Sequence, residues 1–143
     1  MSSSAELTAS MEDYLETILL LEKKHRVARV KDIAERLSVR MPSVTGALKS
    51  LKSRSLIEYE KNSFINLTPK GMKLAKSVLQ RHEILVEFFS LGLGLEGESA
   101  EAQACRMEHA IDQETAGRFR NLTRWIQSVN MEAAAPGSIE AAG

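Results

Sequence analysis

One cysteine in 143 residues excludes an intrachain disulfide and a Cys-only zinc cage, and fits a reducing compartment. Aromatic residues make up only 5% of the chain, so its core is expected from Leu, Ile, Val, Ala and Met. No apolar run approaches the roughly 18 residues of a membrane span. The opening Met-Ser-Ser-Ser-Ala-Glu has neither the basic nor the apolar region of a signal peptide. A cytoplasmic protein without membrane contact is therefore expected. There is no internal repeat, no phosphate-binding glycine loop and nothing resembling an oxyanion-hole loop. Those gaps weigh against an enzyme.

The composition is that of a packed, water-soluble chain: 43% hydrophobic and 27% charged residues. Its zero formal net charge hides a polarity. Residues 1–82 carry fifteen Lys and Arg against nine Asp and Glu, whereas residues 83–143 carry four against ten. The basic front half suits a polyanion. The acidic back half suits a cation or a protein partner. Chance segregation of surface charge is the ordinary alternative.

Hydrophobic periodicity predicts a mainly helical chain. Ser10-Met-Glu-Asp13 has the form of a capping box, with Leu15, Ile18, Leu19 and Glu22 following at helical spacing. That helix should end near His25. A short helix is expected over 30–37 and a third up to about Arg54, with Pro42 at its first position and Val44, Ala47, Leu48 and Leu51 facing inward. The period then changes to two. Ile57–Glu60 and Phe64–Leu67, joined by Lys61-Asn62, predict a β-hairpin. Thr68-Pro69 opens a long helix to about Leu91, which Gly92 and Gly94 end. Two further helices are expected, over roughly 98–111 and 113–129. Helix, helix, tight turn, helix and hairpin make a winged helix-turn-helix, here followed by an all-α segment. The tail from 130 to 143 is expected to be disordered, and the first nine residues to form a flexible arm.

In such a fold the third helix enters the DNA major groove by its N-terminal residues. Pro42, Ser43 and Thr45 stand there, with Met41 and Gly46. Arg40, Lys49 and Lys52 supply positive charge for phosphates, and Arg54 and Lys61 stand where flanking phosphates would lie. No Asn, Gln or Arg is placed for bidentate base reading. Affinity dominated by phosphates and DNA shape is therefore expected. The same cations also read as a solvated helix face.

A second set of residues has the chemistry of metal ligands. Cys105, Glu108 and His109 stand at i, i+3 and i+4 and share one helical face. Asp13 and Glu16 are spaced i, i+3 on the first helix, and His82 lies midway along the long one. Each also has an ordinary reading: Asp13 as the capping acid, Glu16 and His82 as solvated residues, Cys105 as a small buried side chain, Glu108 and His109 as a local pair. Spacing alone leaves both readings standing.

Several stretches resemble the metal-dependent repressors of the diphtheria toxin repressor and manganese transport regulator family. They are Met11-Glu-Asp-Tyr-Leu-Glu-Thr-Ile18, Asp32–Leu37, Pro42-Ser-Val-Thr45, Leu67-Thr-Pro-Lys-Gly71, Arg81-His-Glu83 and Ala104-Cys-Arg-Met-Glu-His109. The resemblance covers about residues 8–129. It implies a winged helix-turn-helix over 10–75 and a helical metal-binding and dimerisation domain over 76–129, without the SH3-like domain of the iron branch. It implies metal ligands at Asp13, Glu16, His82, Cys105, Glu108 and His109. Asp13 and Glu16 match the manganese branch, which usually has Glu where Cys105 stands; Cys105 matches the iron branch. Val86 replaces a ligand Glu of the iron branch's ancillary site, and Gly46 replaces a Gln near the bases.

The resemblance further implies a homodimeric repressor on a palindromic duplex operator, with recognition helices about 34–36 Å apart. Fe²⁺ or Mn²⁺ is the expected corepressor, with Co²⁺, Ni²⁺ or Zn²⁺ able to substitute in vitro. Phe88, Phe89, Leu91, Leu93, Ile111, Phe119, Leu122, Trp125 and Ile126 offer the apolar surface a two-fold contact needs. Two rivals compete: a winged-helix regulator of a small organic effector, and a thiol or zinc hydrolase.

Overall fold

A computed structural model describes residues 7–60 and 63–132, with side chains through residue 130. Lys61 and Asn62, expected as the turn of the hairpin, the first six residues and residues 133–143 lie outside the described residues. The chain forms two compact units, Met1–Val78 and Leu79–Gly143. Among the described residues there are six α-helices and one two-stranded sheet.

In the first unit, α1 (Ala9–His25), α2 (Val30–Leu37) and α3 (Met41–Ser53) pack on one another. Leu15, Ile18, Leu19, Ile33, Val44, Leu48 and Leu51 fill their shared core. The cap of α1 is Thr8, not Ser10. The Thr8 hydroxyl accepts from the Met11 backbone N–H at 3.1 Å, and Ser10 is already helical. Asp13 therefore falls beyond the first turn, and its reading as the capping acid is lost. Glu22, the polar member of the inward stripe, accepts the Leu67 N–H at 3.1 Å and joins α1 to the sheet.

The turn after α2 passes through Ser38 in the left-handed region, φ 55°. Pro42 occupies the second position of α3, where its missing N–H again costs no intrahelical bond. The hairpin is shorter than its alternation predicts. β1 (Ile57–Glu58) pairs antiparallel with β2 (Asn66–Leu67), Ile57 opposite Leu67. A third segment joins through a bridge between Ala28 and Ile65, whose N–H donates to the Ala28 carbonyl at 3.0 Å.

Thr68 caps α4 (Pro69–Glu87) as expected: its hydroxyl accepts from Gly71 N–H and donates to the Ser55 carbonyl. α4 crosses the boundary between the units. The helix expected to run to Leu91 instead changes at Phe88 into a π turn, Phe88–Gly92, with Leu93 N–H donating to the Phe88 carbonyl at 3.1 Å. The wider turn accompanies a ring pair between Phe88 and Phe119, centroids 4.7 Å apart.

In the second unit, α5 (Gly97–Met107) and α6 (Gln113–Glu132) pack against this turn. Ala100, Ala104 and Ala116 are fully buried, small enough to bring backbones close. α5 ends at Met107 rather than running to 111. Its end is set from outside: the Arg81 guanidinium Nε donates to the Glu108 carbonyl at 2.8 Å. Asp112 then starts α6 by accepting the Thr115 N–H at 2.7 Å, which holds its carboxyl below the usual range. α6 continues to Glu132, three residues into the segment expected to be disordered.

Candidate metal centre and DNA-facing helix

α4 carries His82, and α5 with its C-cap carries Cys105 and Glu108. One ligand atom from each of the three lies within 4.8 Å of the other two. His82 Nδ1 stands 2.7 Å from Glu108 Oε2 and 3.9 Å from Cys105 Sγ. The other carboxylate oxygen of Glu108 is 3.3 Å from His109 Nε2. The set is an imidazole, a thiol and a carboxylate, with a second imidazole beside the carboxylate.

Glu108 is the least expected member. It is 1% exposed, and an ionised carboxylate at such a depth is retained only where it is paired, hydrogen-bonded or bound to a cation. Here two imidazoles face its two oxygens. This donor chemistry fits a divalent first-row ion. Cys105 is exposed, so the reading of it as a buried packing residue does not hold.

α5 ends at Met107, so Glu108 is its C-cap and His109 lies in the turn that follows. Arg81 holds that turn at both ends. Its Nε donates to the Glu108 carbonyl, and its Nη1 donates to Gln113 Oε1 at 3.2 Å. Gln113 in turn donates to Gln80 at 2.6 Å. Arg81 is buried, and no local pattern in the sequence marks its role. Glu101 is a further member that sequence reasoning does not single out: its carboxylate stands 2.7 Å from His82 Nε2. Its place at i−4 from Cys105 and i−7 from Glu108, on the same helical stripe, is the available signal. Asp13 and Glu16 lie on α1 in the first unit, both half-buried.

On α3, Val44, Leu48 and Leu51 are buried, whereas Arg40, Met41, Pro42, Ser43, Gly46, Lys49 and Lys52 are exposed. Two candidates are partly committed within the chain. The Thr45 hydroxyl donates to the Met41 carbonyl at 3.1 Å, which commits its one proton and leaves its oxygen to act toward DNA as an acceptor. Lys52 donates to the Tyr59 carbonyl at 2.8 Å and so fastens the hairpin to α3. Arg40, Ser43 and Lys49 remain on the open face. Lys49→Ala is expected to weaken binding to all duplex sequences and to lower the salt slope by about one unit, as loss of one phosphate contact would. Fluorescence anisotropy at several salt concentrations reads this, and an unchanged slope would return Lys49 to the solvated face.

The second unit also presents apolar side chains to solvent: Leu91, Leu93, Leu122, Val129 and Trp125, the last 64% exposed. Leu91, Leu93, Leu122 and Trp125 belong to the apolar set expected in a two-fold contact. Phe88 and Phe119, expected in the same surface, are partly consumed by packing on each other.

Two family models match the chain. "Iron dependent repressor, N-terminal DNA binding domain" covers residues 6–64, and "Iron dependent repressor, metal binding and dimerisation domain" covers residues 68–128. The HTH-type transcriptional regulator MntR of Geobacillus kaustophilus is 38% identical over 120 residues, 84% of each chain. MntR of Lysinibacillus sphaericus is 39% identical over 120 residues, 84% of this chain and 86% of its own. Among solved structures, T. acidophilum IdeR superposes with a TM-score of 0.70 at 29% identity, covering 78% of this chain and 52% of its own. The manganese regulator SloR gives 0.71 at 28% identity, covering 80% and 54%. The chain thus spans about half the length of those two solved chains. It belongs to the iron-dependent repressor family, as a metal-dependent transcriptional repressor with an N-terminal winged helix-turn-helix and a C-terminal metal-binding and dimerisation domain.

Proposed function

We propose that this chain represses metal-homeostasis genes as a cytoplasmic homodimer, and that Fe²⁺ or Mn²⁺ is the corepressor that makes it bind a palindromic operator. The observation that carries the reading is the buried Glu108 carboxylate with His82 and Cys105 gathered beside it. His82, Cys105, Glu108 and His109 are the ligands supplied by the second unit. Asp13 and Glu16 of α1 join them on the strength of the Met11–Ile18 resemblance.

A bound divalent ion would supply the positive charge that lets several carboxylates share one site. The protein residues do the rest. Arg81 holds the Glu108 backbone so that its side chain stays with the set. Without a cation, the carboxylates of Asp13, Glu16 and Glu108 are like charges that disfavour a common site; as joint ligands they favour it. Any arrangement of the DNA-binding unit that the ligand set binds better is the one whose population rises. Arg40, Ser43 and Lys49 then meet the duplex, and Leu91, Leu93, Leu122 and Trp125 supply the apolar contact between subunits. Among the described residues no helix is long and apolar enough to cross a membrane.

Operator affinity should rise about 5–150-fold on adding Mn²⁺ or Fe²⁺ to chelator-treated protein. The titration is done anaerobically on a duplex selected from a random pool. Equal affinity in chelator and in excess metal would discard the reading.

The choice of metal turns on Cys105. Thiolate favours Fe²⁺, Co²⁺ and Zn²⁺ over Mn²⁺, whereas carboxylate favours Mn²⁺. Cys105→Glu should raise activation by Mn²⁺ relative to Fe²⁺. The Co²⁺ form of the parent protein should show a thiolate charge-transfer band that the variant lacks. A parent without the band, or a variant with the parent's metal ranking, would leave Cys105 without a thiolate bond.

A further inference from the structure

We infer that Glu101 is a positioning residue for His82: it accepts the proton on Nε2 and thereby leaves Nδ1 as the atom that meets the metal. The inference rests on the site proposed above and assigns a role to a residue outside that ligand set.

The two ring nitrogens of His82 face different surroundings. Nδ1 points at Glu108 Oε2, 2.7 Å away, and at Cys105 Sγ, 3.9 Å away. Nε2 points at Glu101 Oε2, also 2.7 Å away. A neutral imidazole has one lone pair and one N–H. If Nδ1 gives its lone pair to an ion, the proton must sit on Nε2, and a carboxylate is a strong acceptor for it. The contact therefore selects the tautomer and fixes the ring plane together. A carboxylate behind a ligating histidine also raises the basicity of the nitrogen that binds.

The placement depends on α5. Glu101, Cys105 and Glu108 stand at i, i+4 and i+7, so one stripe carries the orienting acid, the thiol and the buried carboxylate. The two contact partners differ in depth. The His82 side chain is 12% exposed, the Glu101 side chain 57%. Glu101 can therefore be replaced without opening the core.

The probe is Zn²⁺, which is diamagnetic, on the full chain. In the parent, ¹⁵N NMR of the His82 ring should show Nδ1 shifting on Zn²⁺ addition while Nε2 keeps a slowly exchanging, downfield N–H. Glu101→Ala should lose that downfield N–H and bind Zn²⁺ about 10–100-fold more weakly. Glu101→Gln, whose amide oxygen still accepts, should recover most of the affinity; a purely structural role would not predict that recovery. Parent-like affinity in Glu101→Ala, with Nδ1 still shifting, would overturn this inference alone. A second Zn²⁺ per chain that Glu101→Ala removes would also overturn it, by making Glu101 a ligand. If neither ring nitrogen of the parent responds to Zn²⁺, the proposed site fails and this inference fails with it.

Discussion

Glu108→Ala is expected to weaken divalent-metal binding by about 100-fold or more, and to leave operator binding indifferent to metal. Loss of a group that only supports a ligand costs about 10–100-fold, and Glu108 is proposed as a ligand itself. It is also the member of the set that the rest surrounds: His82 faces one oxygen and His109 the other. Removing it leaves the second unit to supply only two imidazoles and a thiol. The main-chain anchor survives, because Arg81 holds the Glu108 carbonyl rather than its side chain. The fold should therefore persist, and circular dichroism checks that it does. Glu108→Gln keeps the volume and removes only the charge, so it should lose metal binding nearly as far. Calorimetric titration with Mn²⁺ or Co²⁺ reads both variants. Parent-like affinity in either would remove Glu108 from the site.

The largest effect on stability is expected from Gly71→Ala. In a helix interior this change ordinarily gains about 1 kcal/mol. Here the new Cβ would stand 1.9 Å from the Leu56 carbonyl oxygen and 2.9 Å from its carbon. That carbonyl cannot swing aside without loss, because it accepts the Thr68 N–H at 3.1 Å. Thr68 is itself fixed to Ser55 and to the Gly71 N–H. Either α4 or the segment between α3 and β1 must shift, and overpacking of this kind costs about 1–3 kcal/mol, toward the upper end where the neighbour is a hydrogen-bonded backbone carbonyl. The clash therefore outweighs the helix propensity. Urea unfolding should show a lower midpoint than the parent. A midpoint at or above the parent's would mean that the hairpin and α4 separate without cost.

The winged helix-turn-helix is legible in the sequence because its elements are marked locally. Pro42 and Thr68-Pro69 announce helix starts, and Leu15, Ile18, Leu19, Val44, Leu48 and Leu51 keep a helical period that matches the observed core. The less legible features depend on partners distant in sequence. The end of α5 is set by Arg81 reaching the Glu108 carbonyl, so no local signal puts His109 in a turn. The Ala28–Ile65 bridge joins residues too far apart for a hairpin signal. Two sites compete for the cap of α1, and the capping-box pattern at Ser10 favours the wrong one over Thr8. In the candidate site, helical spacing pairs Cys105 with Glu108, but the depth of Glu108 and the contact of Glu101 with His82 arise only when α4 and α5 meet. The π turn at Phe88 likewise accompanies packing on Phe119 that periodicity along α4 cannot report.

If metal binding and operator binding are coupled, the coupling is reciprocal. The decisive quantity is the Mn²⁺ affinity of the protein, taken once alone and once with saturating operator duplex in the same buffer. The duplex should tighten Mn²⁺ binding by the same factor by which Mn²⁺ tightens operator binding, about 5–150-fold or 1–3 kcal/mol. A non-operator duplex of equal length and charge should give a smaller factor. An Mn²⁺ affinity that is the same with and without saturating operator would contradict repression by metal, because an ion indifferent to the DNA-bound state cannot be its corepressor.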